Sequence, residues 1–440
     1  MANGMDPNAT THLDAETQTA VARRKKLLGP AYRLFYSDPV EIVRGKGVYL
    51  YDHKGNEFLD AYNNVVSVGH SHPKVVAAIT QQLEKLCTHT RYIQQPLLNF
   101  SEQLLATHHG ALREAGHTMF TCTGSESNDL AMRIARYHTG RKGVIVTAEA
   151  YHGNSATTAG FSPSLGRKSP LDPFVRTVAA PDSYRLPPEK LGEIMAADVQ
   201  RQIDDLARHG EGLAAFIADS LFSSDGLYSQ PTDLLAPVAK VVKAAGGLFI
   251  ADEVQSGFGR SGSHMWGYQR HGIDPDIVTM GKPMGNGYPV AGIVVRHDIV
   301  AAFGKDMRYF NTFGGNTVAI AAAQATLDVI QQEGLMENSL KVGRLIHEGL
   351  LEIARRYHSI GDVRSAGLYF GVELVQDRES KVPDMDLALA IVNGLRRHRV
   401  LISATGAQAN ILKIRPPLVF TENNALRLLE TIDCVFAEFH

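Results

Sequence analysis

The sequence predicts an α/β protein: a mainly parallel central sheet covered on both faces, with a smaller α+β part built from the two ends of the chain. Three observations carry this. Short apolar runs alternate with helical stretches from Thr118 to Val295. Strand and helix patterns mix again after Gly361. Near the N-terminus, residues 40–60 instead alternate apolar and polar around Arg44-Gly45 and Lys54-Gly55. Strands separated by helices imply parallel pairing, whereas alternation with tight turns implies an antiparallel meander.

The elements follow in order. After the meander, Val75, Val76, Ile79, Leu83 and Leu86 recur at helical spacing over 73–86, and a second helix covers 96–108. Residues 118–122 form a strand, 124–138 a helix with Leu130, Ala131, Ile134 and Ala135 on one face, and 144–147 a strand. A helix over 193–208, a strand over 214–218, a helix over 231–245 and a strand over 248–251 continue the alternation. Strands at 277–280 and 291–295 close it. Helices over 317–333 and 337–357 then lead to strands at 368–374, 400–403 and 411–414 and helices at 386–397 and 422–439. The expected domains are residues 1–60 as part of the small domain, 61–330 as the large domain and 331–440 as the rest of the small domain.

Composition excludes several classes. The chain has 440 residues, with Lys+Arg 44 against Asp+Glu 46. That balance gives no electrostatic case for nucleic acid or membrane surfaces. No apolar run reaches the roughly 18 residues of a membrane span. Cys87, Cys122 and Cys434 are far apart and form no C-x-x-C, which fits a reducing, cytoplasmic compartment. The polar stretch Met1–Gln18 has no apolar core of a signal peptide and reads as a frayed leader. The histidines lack ligand spacing, so no metal is expected.

Four strand ends carry chemistry. The run 277–280 ends in Gly281 and Lys282, then turns through Pro283, Gly285 and Gly287. A lysine held there is either a solvated surface residue or a desolvated, nucleophilic Schiff-base amine. Gly124 and Ser125, at a strand-to-helix junction, offer an anion site or a plain helix cap. Asp252 ends a buried run and needs a cationic or protonated partner, whether an Arg, a Lys, a metal or a ring nitrogen. Tyr151 follows a strand as a rim aromatic or a stacking platform. In a parallel sheet these ends gather at one edge. An anion cup, a carboxylate, an aromatic and a lysine together are what pyridoxal phosphate requires.

These motifs resemble the class III aminotransferases, of fold type I among the pyridoxal-phosphate enzymes. The likeness runs from the Gly45–Asp52 meander to Pro416-Pro417-Leu418, with 252–260 (DEVQSGFGR) and Gly281-Lys282-Pro283 its most specific parts. It implies that Lys282 forms the Schiff base and that Asp252 pairs with the ring nitrogen. It further implies that Val254 packs on the ring and Gln255 approaches the phenolic oxygen. Gly124 and Ser125 would hold the phosphate, Tyr151 would cover the ring, and Thr312 would reach the phosphate of a neighbouring subunit in a homodimer with shared sites. Two departures stand out. Asp219-Ser220 replaces the usual Glu-Pro, so the acid is kept but shortened. Lys413 stands where amino-acid aminotransferases place an arginine three residues before Pro-Pro. Lysine is a point charge, not a fork for an α-carboxylate.

Within the family the chain is most similar to ethanolamine-phosphate and phosphohydroxylysine phospho-lyases, through Asn63-Asn64-Val65, the 279–287 segment, the Lys413 motif and Thr90-Arg91-Tyr92. The expected reaction is therefore β-elimination of phosphate from a phosphorylated amino alcohol, with Arg91, together with Lys413 or Arg415, receiving the phosphate. Arg91 pairing with a nearby carboxylate is the plainer alternative. The runner-up reaction is transamination of an ω-amino acid or amine with pyruvate or glyoxylate. A pyridoxal-binding protein without turnover is the third reading, and an intact Lys282 and Asp252 argue against it.

Overall fold

The structure, a computed structural model, describes residues 4–439. Its largest sheet has seven strands in the order Gly116–Thr121, Ala291–Arg296, Ile277–Met280, Leu248–Asp252, Leu213–Asp219, Gly143–Thr147 and Val175–Val178. Only Ala291–Arg296 runs against its neighbours; the pairings among the other central strands are parallel. Both faces are covered, as the continuous apolar runs require. Ala215 and Ile217 face Leu130, Ile134 and Phe303, whereas Phe216 and Ala218 face a second cluster with Leu191, Val199 and Val238. This two-residue alternation buries opposite sides of one strand under different helices.

Two four-stranded sheets join distant parts of the chain. In one, Ile42–Lys46, Tyr49–Asp52 and Glu57–Asp60 form the expected meander, and Val400–Leu401 adds in parallel to Glu57–Asp60. In the other, Ile360–Ser365, Phe370–Leu374, Ile411–Ile414 and Ser403–Thr405 pair antiparallel. The single strand expected at 400–403 is therefore two strands in two sheets. The chain crosses between them at Ile402, whose carbonyl accepts the Tyr36 hydroxyl at 2.9 Å.

The N-terminal region is not a frayed leader over its described part. Asp14 caps the helix Ala15–Leu27 by accepting from the Thr17 amide, and Met5, Leu13 and Val21 are buried together. The expectation failed because three scattered apolar residues give no periodic signal. The helix His297–Asp306 and the edge strand Val175–Val178 also went unread, whereas the helix expected from Pro231 starts only at Leu235.

Candidate active site

The parallel strands end together, and this is what assembles the site. In the register of the sheet Asp219 lies beside Asp252, and Asp252 beside Thr279. Lys282 follows Thr279 by one turn of backbone. The cavity at this edge is lined by Gly124, Ser125, Asn128, Tyr151, His152, Gly153, Asp219, Asp252, Val254, Gln255 and Lys282. Eight of the residues expected from the sequence thus meet in one hollow.

Helix Gly124–Thr139 presents its first turn to the cavity. Its cap is Thr123, which accepts from the Glu126 amide at 3.2 Å, and not Ser125. Ser125 Oγ instead exchanges hydrogen bonds with Asn154 at 3.1 Å. First-turn amides have no partner within the helix and point outward. A Cβ on Gly124 would stand 2.9 Å from Val254 Cγ2, so only glycine lets the helix start lie this close.

Asp252 accepts three hydrogen bonds. His152 Nδ1 donates to its Oδ2 at 2.6 Å, Asn128 Nδ2 to the same oxygen at 2.9 Å, and the Val254 amide to Oδ1 at 3.1 Å. Asn128 is fixed in turn by Thr279, whose hydroxyl donates to Asn128 Oδ1 at 2.6 Å. Burial raises the pKa of a carboxyl, but here the His152 contact and the amide donors outweigh it and hold Asp252 below the usual range. The partner of this acid is therefore neither Arg nor Lys. His152 and Asn128 were not singled out from the sequence. The rule that a buried carboxylate collects donors was the available signal, but it does not say which residues supply them.

Lys282 is partly open to the cavity yet withdrawn from bulk water. Its amine makes no hydrogen bond or ion pair with any described residue. Burial, and then the nearby Arg415, push its pKa down to about 8 against the pull of Asp252 and Asp219. Asp219 accepts from the Leu221 and Ser223 amides at 3.0 and 3.1 Å, and burial pushes it upward. Tyr151 stands at the mouth, 38% exposed.

Behind Gln255 lie Lys413 and Arg415, both buried. Lys413 Nζ donates to Ser223 O at 2.9 Å and reaches Gln255 Oε1 at 3.5 Å. Arg415 donates to the same Gln255 oxygen and, through Nε, to Tyr62 O at 2.9 Å. No described carboxylate pairs with either cation. Burial and Arg415 lower Lys413 well below the ordinary lysine range.

Arg91 and Thr312 are not brought to this cavity within the subunit. Both are exposed. The Arg91 guanidinium lies 3.8 Å over the Phe310 ring and meets no described carboxylate, so the plain ion pair is not what holds it.

A profile for the class-III aminotransferases matches residues 35–436. The chain belongs to this family. It is 39% identical to an ethanolamine-phosphate phospho-lyase homolog of Caenorhabditis elegans, over 98% of this chain and 96% of that protein. It is also 39% identical to an alanine–glyoxylate aminotransferase 2-like protein of Drosophila melanogaster, over 93% of this chain and 85% of that one. Among solved structures, a phospholyase from Arthrobacter in complex with phosphoethanolamine superimposes with a TM-score of 0.91 at 42% identity, covering 95% of this chain and 99% of that chain. Family and fold are thus those of pyridoxal-phosphate enzymes. The cavity suits that group on three counts: an unpartnered amine on Lys282, an ionised Asp252 at the neighbouring strand tip, and a glycine at the helix start where a Cβ would collide.

Proposed function

We propose that the protein is a pyridoxal-phosphate-dependent phospho-lyase, eliminating phosphate from a phosphorylated amino alcohol such as phosphoethanolamine. The observation that carries this reading is the buried pair of basic side chains, Lys413 and Arg415, that no described carboxylate partners. The buried Arg415 guanidinium, and a Lys413 amine that a nearby anion would draw back to its protonated form, ask for an anionic ligand group. An amino acid's carboxylate is better served by an arginine fork, which Lys413 does not provide. Similarity to a phospholyase in complex with phosphoethanolamine supports the same choice.

In this reading Lys282 attaches the cofactor, Asp252 holds its ring nitrogen, and Gly124 and Ser125 hold its phosphate. Val254 and Tyr151 flank the ring, Gln255 lies near its phenolic oxygen, and Asp219 completes the strand-end charge. The cofactor, when bound, supplies an electron sink for the substrate carbon that bears nitrogen. The chain's own residues do the rest. Lys282 takes the proton from that carbon. The electron pair moves toward the neighbouring carbon as its C–O bond breaks, and phosphate departs with the bonding pair. Lys413 and Arg415 receive the departing charge. Water then converts the released enamine to aldehyde and ammonia, so no second substrate is consumed.

Homodimeric assembly, with Thr312 serving the neighbouring subunit's site, belongs to the same reading. So does a cytoplasmic location, which the three free cysteines support. We also propose residues 61–330 as the cofactor-binding domain, with 1–60 and 331–440 together as the smaller one.

The test is incubation with phosphoethanolamine and no keto acid. Stoichiometric phosphate, acetaldehyde and ammonia are expected; absence of phosphate release removes the reading. The similarity to the alanine–glyoxylate aminotransferase 2-like protein favours transamination as the second reading. It requires that Lys282 return the proton to the cofactor, seen as loss of the imine absorbance when amine is added.

A further inference from the structure

The cations behind Gln255 are part of a wider imbalance of donors over acceptors. Tyr369, fully buried, directs its hydroxyl to Gln255 Oε1 at 3.4 Å. The same oxygen already takes Arg415 and, at 3.5 Å, Lys413. A single carbonyl oxygen has two lone pairs, and here it serves three donors. The nearby Ser223 hydroxyl is buried with no hydrogen-bond partner. Of the two acids of the cavity, Asp219 accepts from two backbone amides, and Asp252 from His152, Asn128 and the Val254 amide.

The fold builds this cluster deliberately close. Lys413 sits on Ile411–Ile414 directly opposite Gly371 of Phe370–Leu374. The lysine amine lies 5.8 Å from the centre of the ring of Tyr369, just before that strand begins. The Ser223 hydroxyl and the Arg415 guanidinium also stand close to the Tyr369 hydroxyl. A buried tyrosine whose hydroxyl donates through a long, shared bond is poorly satisfied by the protein alone. Burial raises its pKa to about 12, so it stays a donor throughout the physiological range.

We propose that Tyr369 is a specificity-determining residue, donating its hydroxyl hydrogen to the substrate's phosphate alongside Lys413 and Arg415. This rests on the phospho-lyase reading and extends it to a residue outside the lysine and arginine pair. A phosphate monoester brings three terminal oxygens, enough for all three donors. A carboxylate brings two, so the tyrosine biases the site toward phosphate. Gln255 Oε1 holds the donors in place until that anion arrives.

The experiment uses the holoenzyme and the Tyr369→Phe variant, which keeps the ring and removes only the hydroxyl. Two quantities are measured: KM for phosphoethanolamine, and the dissociation constant of inorganic phosphate by calorimetric titration. Both are expected to rise about 10- to 100-fold, the usual effect of losing a hydrogen bond to a charged group. The affinity of ethanolamine, which lacks the phosphate, and the imine absorbance are expected to stay as in the wild type. Unchanged KM and phosphate affinity would overturn the proposal. Equal weakening of ethanolamine and phosphate would overturn it too, since the residue would then shape the site generally. Tyr369→Met provides a second variant with the same expectation; loss of the imine absorbance in both variants makes Tyr369 a structural residue and ends the proposal. Failure of the phospho-lyase reading looks different: the wild type then releases no phosphate from phosphoethanolamine, whatever the variants do.

Discussion

At the scale of single residues, the amine of Lys282 matters most, and only its neutral form reacts. A lysine is protonated below its pKa, and here that pKa falls from 10.5 to about 8. Loading of the apoenzyme with pyridoxal phosphate is therefore expected to quicken about tenfold per pH unit below 8 and to level off above it. Stopped-flow absorbance would show this; a midpoint near that of a free lysine would contradict the desolvated site. Lys282→Ala should abolish both the imine absorbance and turnover. His152→Phe is a subtler probe, since it removes one of three donors to buried Asp252. Cofactor retention is expected to weaken by about 10- to 100-fold, read by dialysis and absorbance. Lys282 and Asp252 could be picked out in the sequence because each ends an apolar run. His152, Asn128 and Tyr369 could not, because nothing local marks the donor that a distant carboxylate or anion recruits.

At the scale of elements, the start of helix Gly124–Thr139 is the sensitive junction. It must lie against Val254, and a Cβ on Gly124 would come within 2.9 and 3.0 Å of the two Val254 methyl carbons. Gly124→Ala is expected to displace Val254 at a cost of about 1–3 kcal/mol. The drop in thermal stability should be larger with cofactor bound than without, because the same contact shapes the proposed cofactor cradle. An equal drop in both forms would separate the glycine from the site. The central strands of the large sheet were legible because each side of the sheet is buried, giving unbroken apolar runs, whereas its edge strand Val175–Val178 was not. The N-terminal helix was not. Its burial depends on Met5, Leu13 and Val21 meeting Leu34, and a cluster of that kind leaves no helical stripe.

At the scale of the whole molecule, the subunit leaves Thr312 and Arg91 facing outward, beside exposed Tyr92, Ile93, Phe310 and Phe313. If the proposed dimer shares its sites, defects in different subunits should complement. A hybrid of Lys282→Ala with Thr312→Ala has one site that keeps both its own lysine and the neighbour's threonine. That site should bind cofactor with wild-type affinity, whereas the pure Thr312→Ala dimer binds it weakly; isologous pairing of the two subunits requires this. Weak binding in the hybrid would confine Thr312 to its own subunit.

The sequence by itself determined that a parallel sheet would bring a helix start, a carboxylate and a lysine to one edge. Those features are written in local periodicity and in what terminates each run. Only the tertiary structure decided that Tyr369, Lys413 and Arg415 would reach that edge. They arrive on a separate antiparallel sheet, tied to the N-terminal part of the chain by the Arg415 amide, which donates to Ala61 O at 2.8 Å. Pairings between segments so far apart follow from how finished elements pack, and no stretch of sequence records that on its own.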